Sequence, residues 1–85
     1  MYLHIGGDMV IPKRDLIAVI DLVANGSAPA TKEFLDLAAS EKKLRKTKRN
    51  GKDKSCIITA DGVYLSTISA TTITKRLKSS KFNIE

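Results

Sequence analysis

Apolar positions fall into short runs whose spacing changes from segment to segment. Tyr2-Leu3-His4-Ile5 and Met9-Val10-Ile11 have the length and composition of two strands. Gly6-Gly7-Asp8 between them supplies the positive φ that a tight hairpin needs. Pro12 cannot donate to a ladder, so it ends the second strand or lies at an edge. Lys13-Arg14-Asp15 reads as a polar corner. Leu16 to Val23 is rich in β-branched residues and predicts a third, largely buried strand. For so short an apolar run, periodicity alone does not exclude a helix.

Asn25-Gly26 ends that element, and Ser27-Ala28-Pro29 signals a helix start, with Ser27 as N-cap and Pro29 in the first turn. The helix is expected to run to about Lys43. Thr31, Phe34, Leu35 and Ala38 share one face, with Leu37 beside them, while Lys32, Asp36 and Ser40 fall outside. Lys42 and Lys43 suit the negative end of the helix dipole. Leu44 to Lys54 holds one large apolar residue, and fits either an exposed edge strand ending in a turn at Asn50-Gly51 or a mobile loop. Ser55 to Ala60, Asp61-Gly62 and Val63 to Ile68 form a hairpin signature. A type I′ turn at Asp61-Gly62 would set Ala60 opposite Val63 and Ile58 opposite Leu65, with these four on the core face. A last helix is expected from about Ala70 to Ser79, with Ile73 and Leu77 inward and Lys75, Arg76 and Lys78 in solvent. Residues 81–85 are expected to fray. This order predicts an α+β fold, a small antiparallel sheet of short strands with two helices, as one domain over residues 1–85.

Composition narrows the ways such a small domain is stabilised. Cys56 is the single cysteine, which precludes an internal disulfide and fits a reducing compartment. His4 and Cys56 are the only soft metal ligands, where a structural zinc takes about four. Self-association is left as the open route. The start Met1-Tyr2-Leu3-His4-Ile5 lacks the charged and apolar regions of a signal peptide. No apolar run approaches the ~20 residues of a membrane span. The expected setting is cytoplasmic and soluble, with no membrane contact.

Charge changes the picture more. The net is +6, from 15 basic and 9 acidic residues. Lys42, Lys43, Arg45, Lys46, Lys48, Arg49, Lys52 and Lys54 lie together with one acid, Asp53. That segment carries +7 and the remainder −1, so a near-neutral body bears one basic strip. Such a strip attracts polyanions.

Other candidate chemistry is sparse. Asp8, Asp15, Asp21, Asp36, Asp53 and Asp61 are scattered rather than paired. His4 has no second His or nearby Cys, which favours a structural role over an interface or pH-sensitive one. Cys56 opens a buried strand without a neighbouring base, as a small core residue does. Gly6-Gly7 lacks the longer glycine pattern and strand-to-helix setting of a phosphate loop. No enzyme activity, cofactor or small-molecule substrate is indicated. A short charge run is ordinarily a solvated face, but eight cations with one acid repel each other, and mixed signs would solubilise equally well. Tyr2, Phe34, Tyr64 and Phe82 all lie outside the strip, which lacks the interleaved aromatics of single-strand binders. Duplex DNA held through its phosphates is therefore the expected partner. The rivals are an interaction module that takes an acidic partner and has little DNA affinity, and a nucleic-acid enzyme, which would need a carboxylate cluster.

Met1 to Asp8, the stretch Ile17-Ala18-Val19-Ile20-Asp21-Leu22, the helix core Thr31-Lys32-Glu33-Phe34-Leu35 and the end Ile68 to Arg76 together resemble the bacterial RemA/RemB family of extracellular-matrix (biofilm) regulators, nearer the RemB type. The resemblance implies a fold similar to LytTR-type DNA-binding domains, transcription regulation, and ring-shaped homo-oligomers with DNA against a basic outer surface. In RemA-type relatives an arginine cluster before the final hairpin contacts DNA, and another arginine follows the second strand. The matching stretch here is Arg49-Asn50-Gly51-Lys52-Asp53-Lys54, with Lys13 or Arg14 at the second place. The arginines are not kept one for one, and Lys52 and Lys54 are the nearest matches. RemB-type relatives are less basic here, so this chain departs towards RemA. The expected DNA-contacting set is Lys13, Arg14, Lys46, Lys48, Arg49, Lys52 and Lys54.

Overall fold

The computed structural model describes residues 1–48 and 50–79, the side chain of Ser79 apart. Two strands, β1 (Tyr2–Gly6) and β2 (Met9–Pro12), form the expected antiparallel hairpin. Leu3, Ile5 and Ile11 point into the core while Tyr2, His4 and Val10 face outward. The register slips between His4 and Gly6, a bulge that turns the chain into Gly6 (φ +126°) and Gly7 (φ +56°). Any side chain at Gly7 would collide with the Thr47 carbonyl.

After a 3-10 turn over Lys13–Asp15, β3 (Leu16–Asp21) enters a four-stranded sheet. Its other strands are β4 (Leu44–Lys46), β5 (Ser55–Thr59) and β6 (Val63–Ser66), in the order β3-β5-β6-β4. Both sheet faces are covered. Ile57 and Tyr64 pack with Leu3, Ile5, Ile11 and Ile73, under the hairpin and the last helix. Cys56 and Val63 pack with Ala38, Phe34 and Leu35 of the long helix. Double burial explains why Cys56-Ile57-Ile58 is a continuous apolar run rather than an alternating one. The α+β class holds, with two sheets, and β4 pairs with β6 in parallel rather than antiparallel.

The β5–β6 corner departs from expectation. Ile58 lies opposite Val63 and Cys56 opposite Leu65. Ala60 and Asp61 form the corner, and the Thr59 N–H donates to the Gly62 carbonyl at 2.8 Å. No type I′ turn forms, because neither corner residue has a positive φ. The Thr59 hydroxyl builds the turn instead: its oxygen accepts from the N–H groups of Asp61 (3.2 Å) and Gly62 (3.1 Å). Glycine is needed at 62 for another reason, since a Cβ would stand 2.9 Å from the Lys43 carbonyl. The slip spans two residues and so preserves the faces: Ile58, Val63 and Leu65 stay on the expected side, while Ala60 passes to solvent and Cys56 joins them.

The helices also move from their expected bounds. The third strand stops at Asp21, not Val23, because the Asp21 carboxylate accepts from the N–H groups of Val23 (2.9 Å) and Ala24 (3.2 Å). This caps a single turn, α1 (Leu22–Asn25). In α2 (Pro29–Ser40) the N-cap is Ala28, not Ser27, and no side chain caps it; Pro29 takes the first helical position. The helix ends at Ser40 rather than Lys43. Lys42 adopts φ +59°, with the Lys43 N–H on the Ala38 carbonyl (2.9 Å) and the Lys42 N–H on that of Ala39 (3.0 Å). This is a Schellman end with lysine where glycine is usual. The last helix, α3 (Ala70–Ser79), has the expected bounds, with Ile73 fully buried. Among the described residues no helix is long and apolar enough to cross a membrane. The expected fraying of 81–85 lies outside the described residues.

Candidate nucleic-acid interface

The basic strip begins as an edge strand, one of its two expected forms. β4 pairs Leu44 with Val63, Arg45 with Tyr64 and Lys46 with Leu65. Leu44 anchors it against the core while Arg45 and Lys46 stay exposed. The ladder continues through the Thr47 N–H, which donates to the Leu65 carbonyl at 2.9 Å. Beyond it Lys48, Asn50, Gly51 and Lys52 are exposed, and Gly51 has φ +114°. The return is equally well held: the Lys54 N–H donates to the Ser66 carbonyl (2.7 Å), and the Leu22 N–H to the Lys54 carbonyl (3.0 Å). Both ends of the loop are therefore tied to the C-terminal end of β6.

The β1–β2 turn forms a third support. Gly6 and Gly7 lie against Thr47, and the Ser66 hydroxyl donates to the Ile5 carbonyl. Behind it, His4 Nε2 lies 2.8 Å from the Gly7 carbonyl and Nδ1 lies 3.0 Å from Arg76 Nη1. A carbonyl only accepts and a guanidinium only donates, so Nε2 carries the proton and Nδ1 is bare. Arg76 also donates to the His4 carbonyl at 3.1 Å. It is thus engaged with the hairpin rather than turned to solvent as its helical position predicts. The structural reading of His4 fits this placement.

Within the strip, Lys46 Nζ lies 3.4 Å from Asp53 Oδ2, and the Asp53 side chain is only 19 % exposed. The Asp53 Oδ1 and Thr47 Oγ1 atoms are buried without a hydrogen-bond partner among the described residues. The Lys43–Glu41 pair, at 3.8 Å, is exposed on both sides and screened by solvent. Charge counting treats Asp53 as one compensating acid and misses its inward placement. The one signal in the sequence is its isolation among cations.

Lys46, Lys48, Lys52 and Lys54 gather at one end of the sheet; Arg49 lies outside the described residues. Lys13 and Arg14 lie at the other end. Leu16 pairs with Thr59, and the Ala60 N–H donates to the Asp15 carbonyl at 3.0 Å, whereas Lys54 precedes the opposite end of β5. The five residues of β5 separate the two groups by about 13 Å or more at ~3.3 Å per residue. The fold of the chain does not bring them together. Cys56 is fully buried, and burial pushes its thiol up to about 11, which removes it as a nucleophile at neutral pH. Among the described residues no three His, Cys, Asp or Glu side chains come together.

A family model described as RemA-like, "Extracellular matrix regulatory protein A-like", matches residues 2–77, a span that contains the basic strip. The chain is also 37% identical over 76 residues to Extracellular matrix regulatory protein B of Bacillus subtilis (strain 168), covering 89% of each chain. With the hairpin, the doubly covered sheet and the basic loop in place, the match over nearly all described residues assigns this chain to the RemA-like family of extracellular matrix regulatory proteins.

Proposed function

We propose that this protein is a transcription regulator that binds duplex DNA through the phosphate backbone, using the loop between β4 and β5. The observation that carries the reading is the placement of exposed Lys48, Lys52 and Lys54 on a loop tied at both ends to β6. Cations held on a fixed base lose less freedom on binding than cations on a free tail. Lysine and arginine suit phosphate oxygens, and a contact set of this kind positions the protein more than it reads bases. Lys13 and Arg14 form a second contact at the far end of the sheet.

A single domain binding non-specifically through phosphates reaches only about 10⁻⁴–10⁻⁶ M at physiological salt. A ring-like homo-oligomer would place several strips on one duplex and raise avidity without new contacts. Exposed Ile17, Val23 and Leu37 support self-association. The protein acts in the cytoplasm, beside the DNA, as a non-enzymatic regulator.

Fluorescence anisotropy on labelled duplex across a salt series, with light scattering for mass, tests the reading. Five phosphates per protomer give a slope of log K against log salt of roughly −4.5. Lys52→Ala with Lys54→Ala weakens binding and lowers the magnitude of that slope by about 2. A monomer without DNA affinity at low salt would overturn the proposal in favour of a module for an acidic protein partner.

A further inference from the structure

Asp53 is the one acid in a strip of eight cations, and it stands where charge alone argues against it. A carboxylate beside a DNA-binding surface repels phosphate. Yet the chain turns Asp53 inward and its two lysine neighbours outward: Lys52 and Lys54 are exposed, while the Asp53 side chain is only 19 % exposed. Its Oδ2 lies 3.4 Å from Lys46 Nζ, on the opposite leg of the loop. Its Oδ1 is buried without a partner among the described residues. Burying a carboxylate with one oxygen unpaired is unfavourable unless nearby positive charge offsets it.

We propose that Asp53 is a positioning residue for the DNA contact: it joins the two legs of the loop through Lys46 and so holds Lys52 and Lys54 outward. The inference rests on the DNA-binding reading above. Like charges along residues 48–54 repel, and without an internal anion the loop would open to separate them. The Lys54 N–H on the Ser66 carbonyl (2.7 Å) ties the backbone beside Asp53, and the ion pair across the legs adds the side-chain tie. Positioning and charge counting predict opposite signs. If charge alone matters, removing the carboxylate tightens DNA binding. If position matters, it loosens binding although the net charge has risen.

The test is duplex anisotropy at low salt with Asp53→Asn, which keeps the shape and removes the charge, and Asp53→Glu, which keeps the charge. D53N is expected to bind about threefold or more weakly than wild type, the loss typical of a pair in contact. D53E is expected to bind within twofold of wild type, about the scatter of independent sites. In a Lys46→Gln background, where the tie is already broken, D53N is expected to weaken binding no further. Amide hydrogen exchange without DNA supplies an independent readout: D53N speeds exchange at Lys54, while the melting temperature shows that the fold is retained. Tighter or unchanged DNA binding by D53N overturns the positioning role, as does unchanged exchange at Lys54. Failure of the wild type to bind at low salt overturns the DNA reading itself, a result distinct from either.

Discussion

Cys56 illustrates how burial governs a single side chain. It is fully buried between Val63 and the α2 face, and its thiol is pushed from an ordinary value of 9.0 to about 11 because the thiolate would be desolvated. Native protein at pH 8 is therefore expected to react slowly with a thiol reagent, and to react at the rate of a free thiol once unfolded in urea. The same shift sets a pH dependence. The folded state favours the protonated thiol, so this contribution to stability is fully present below pH 9 and is lost as pH rises through about 11. Urea titrations of Cys56→Ala and wild type across that window show the difference, because the variant lacks this component of the slope.

At the scale of elements, α2 lacks a side-chain cap at its start and closes its end with a lysine in a glycine-favouring conformation. Ala28 offers no side-chain cap, and Lys42 holds a left-handed conformation that favours glycine. Ala28→Ser is expected to stabilise the protein by about 1 kcal/mol through a new cap. Lys42→Gly is expected to add about 1 kcal/mol by relieving the αL conformation. Thermal or urea unfolding measures both, and the gains should add because the sites lie at opposite ends of a 12-residue helix. A destabilising Lys42→Gly would mean that its side chain makes up for the backbone conformation. The β5–β6 corner teaches a related lesson. Asp-Gly is a strong turn signal, yet the Thr59 hydroxyl oxygen accepts hydrogen bonds from the Asp61 and Gly62 N–H groups, and these settle the corner one residue earlier.

For the whole molecule, the separation of the two basic groups is decisive. Lys13 and Arg14 lie at the Thr59 end of β5, and Lys48, Lys52 and Lys54 at the Ser55 end. No side chain is shared between them. On the proposed function, Lys13→Ala with Arg14→Ala and Lys52→Ala with Lys54→Ala weaken DNA binding independently. Their combined effect should equal the sum within about 0.3–0.5 kcal/mol, as for sites beyond ~7–10 Å. Anisotropy on the two double variants and the quadruple variant checks this. A strongly non-additive result would place both groups on one continuous contact, such as the junction between neighbouring protomers.

Local chemistry in the sequence was enough for the hairpin at Gly6-Gly7, the existence of five of the six strands, the bounds of α3 and the single basic strip. Each rests on neighbours in the chain: glycine φ, apolar spacing, and charges within thirteen residues of each other. Tertiary structure decided what depends on residues far apart in sequence. The edge strand β4 exists because Val63 and Leu65 lie beside it, and its parallel direction follows from the path of α2 over the sheet. Arg76 turns from solvent because His4, 72 residues away, presents an acceptor. Asp53 changes from a compensating charge to an inward-facing carboxylate because Lys46 reaches it across the loop and the Lys54 N–H ties the next residue to Ser66 of β6. The count of charges was legible from the start; which of them face outward depends on how the loop is tied to the sheet.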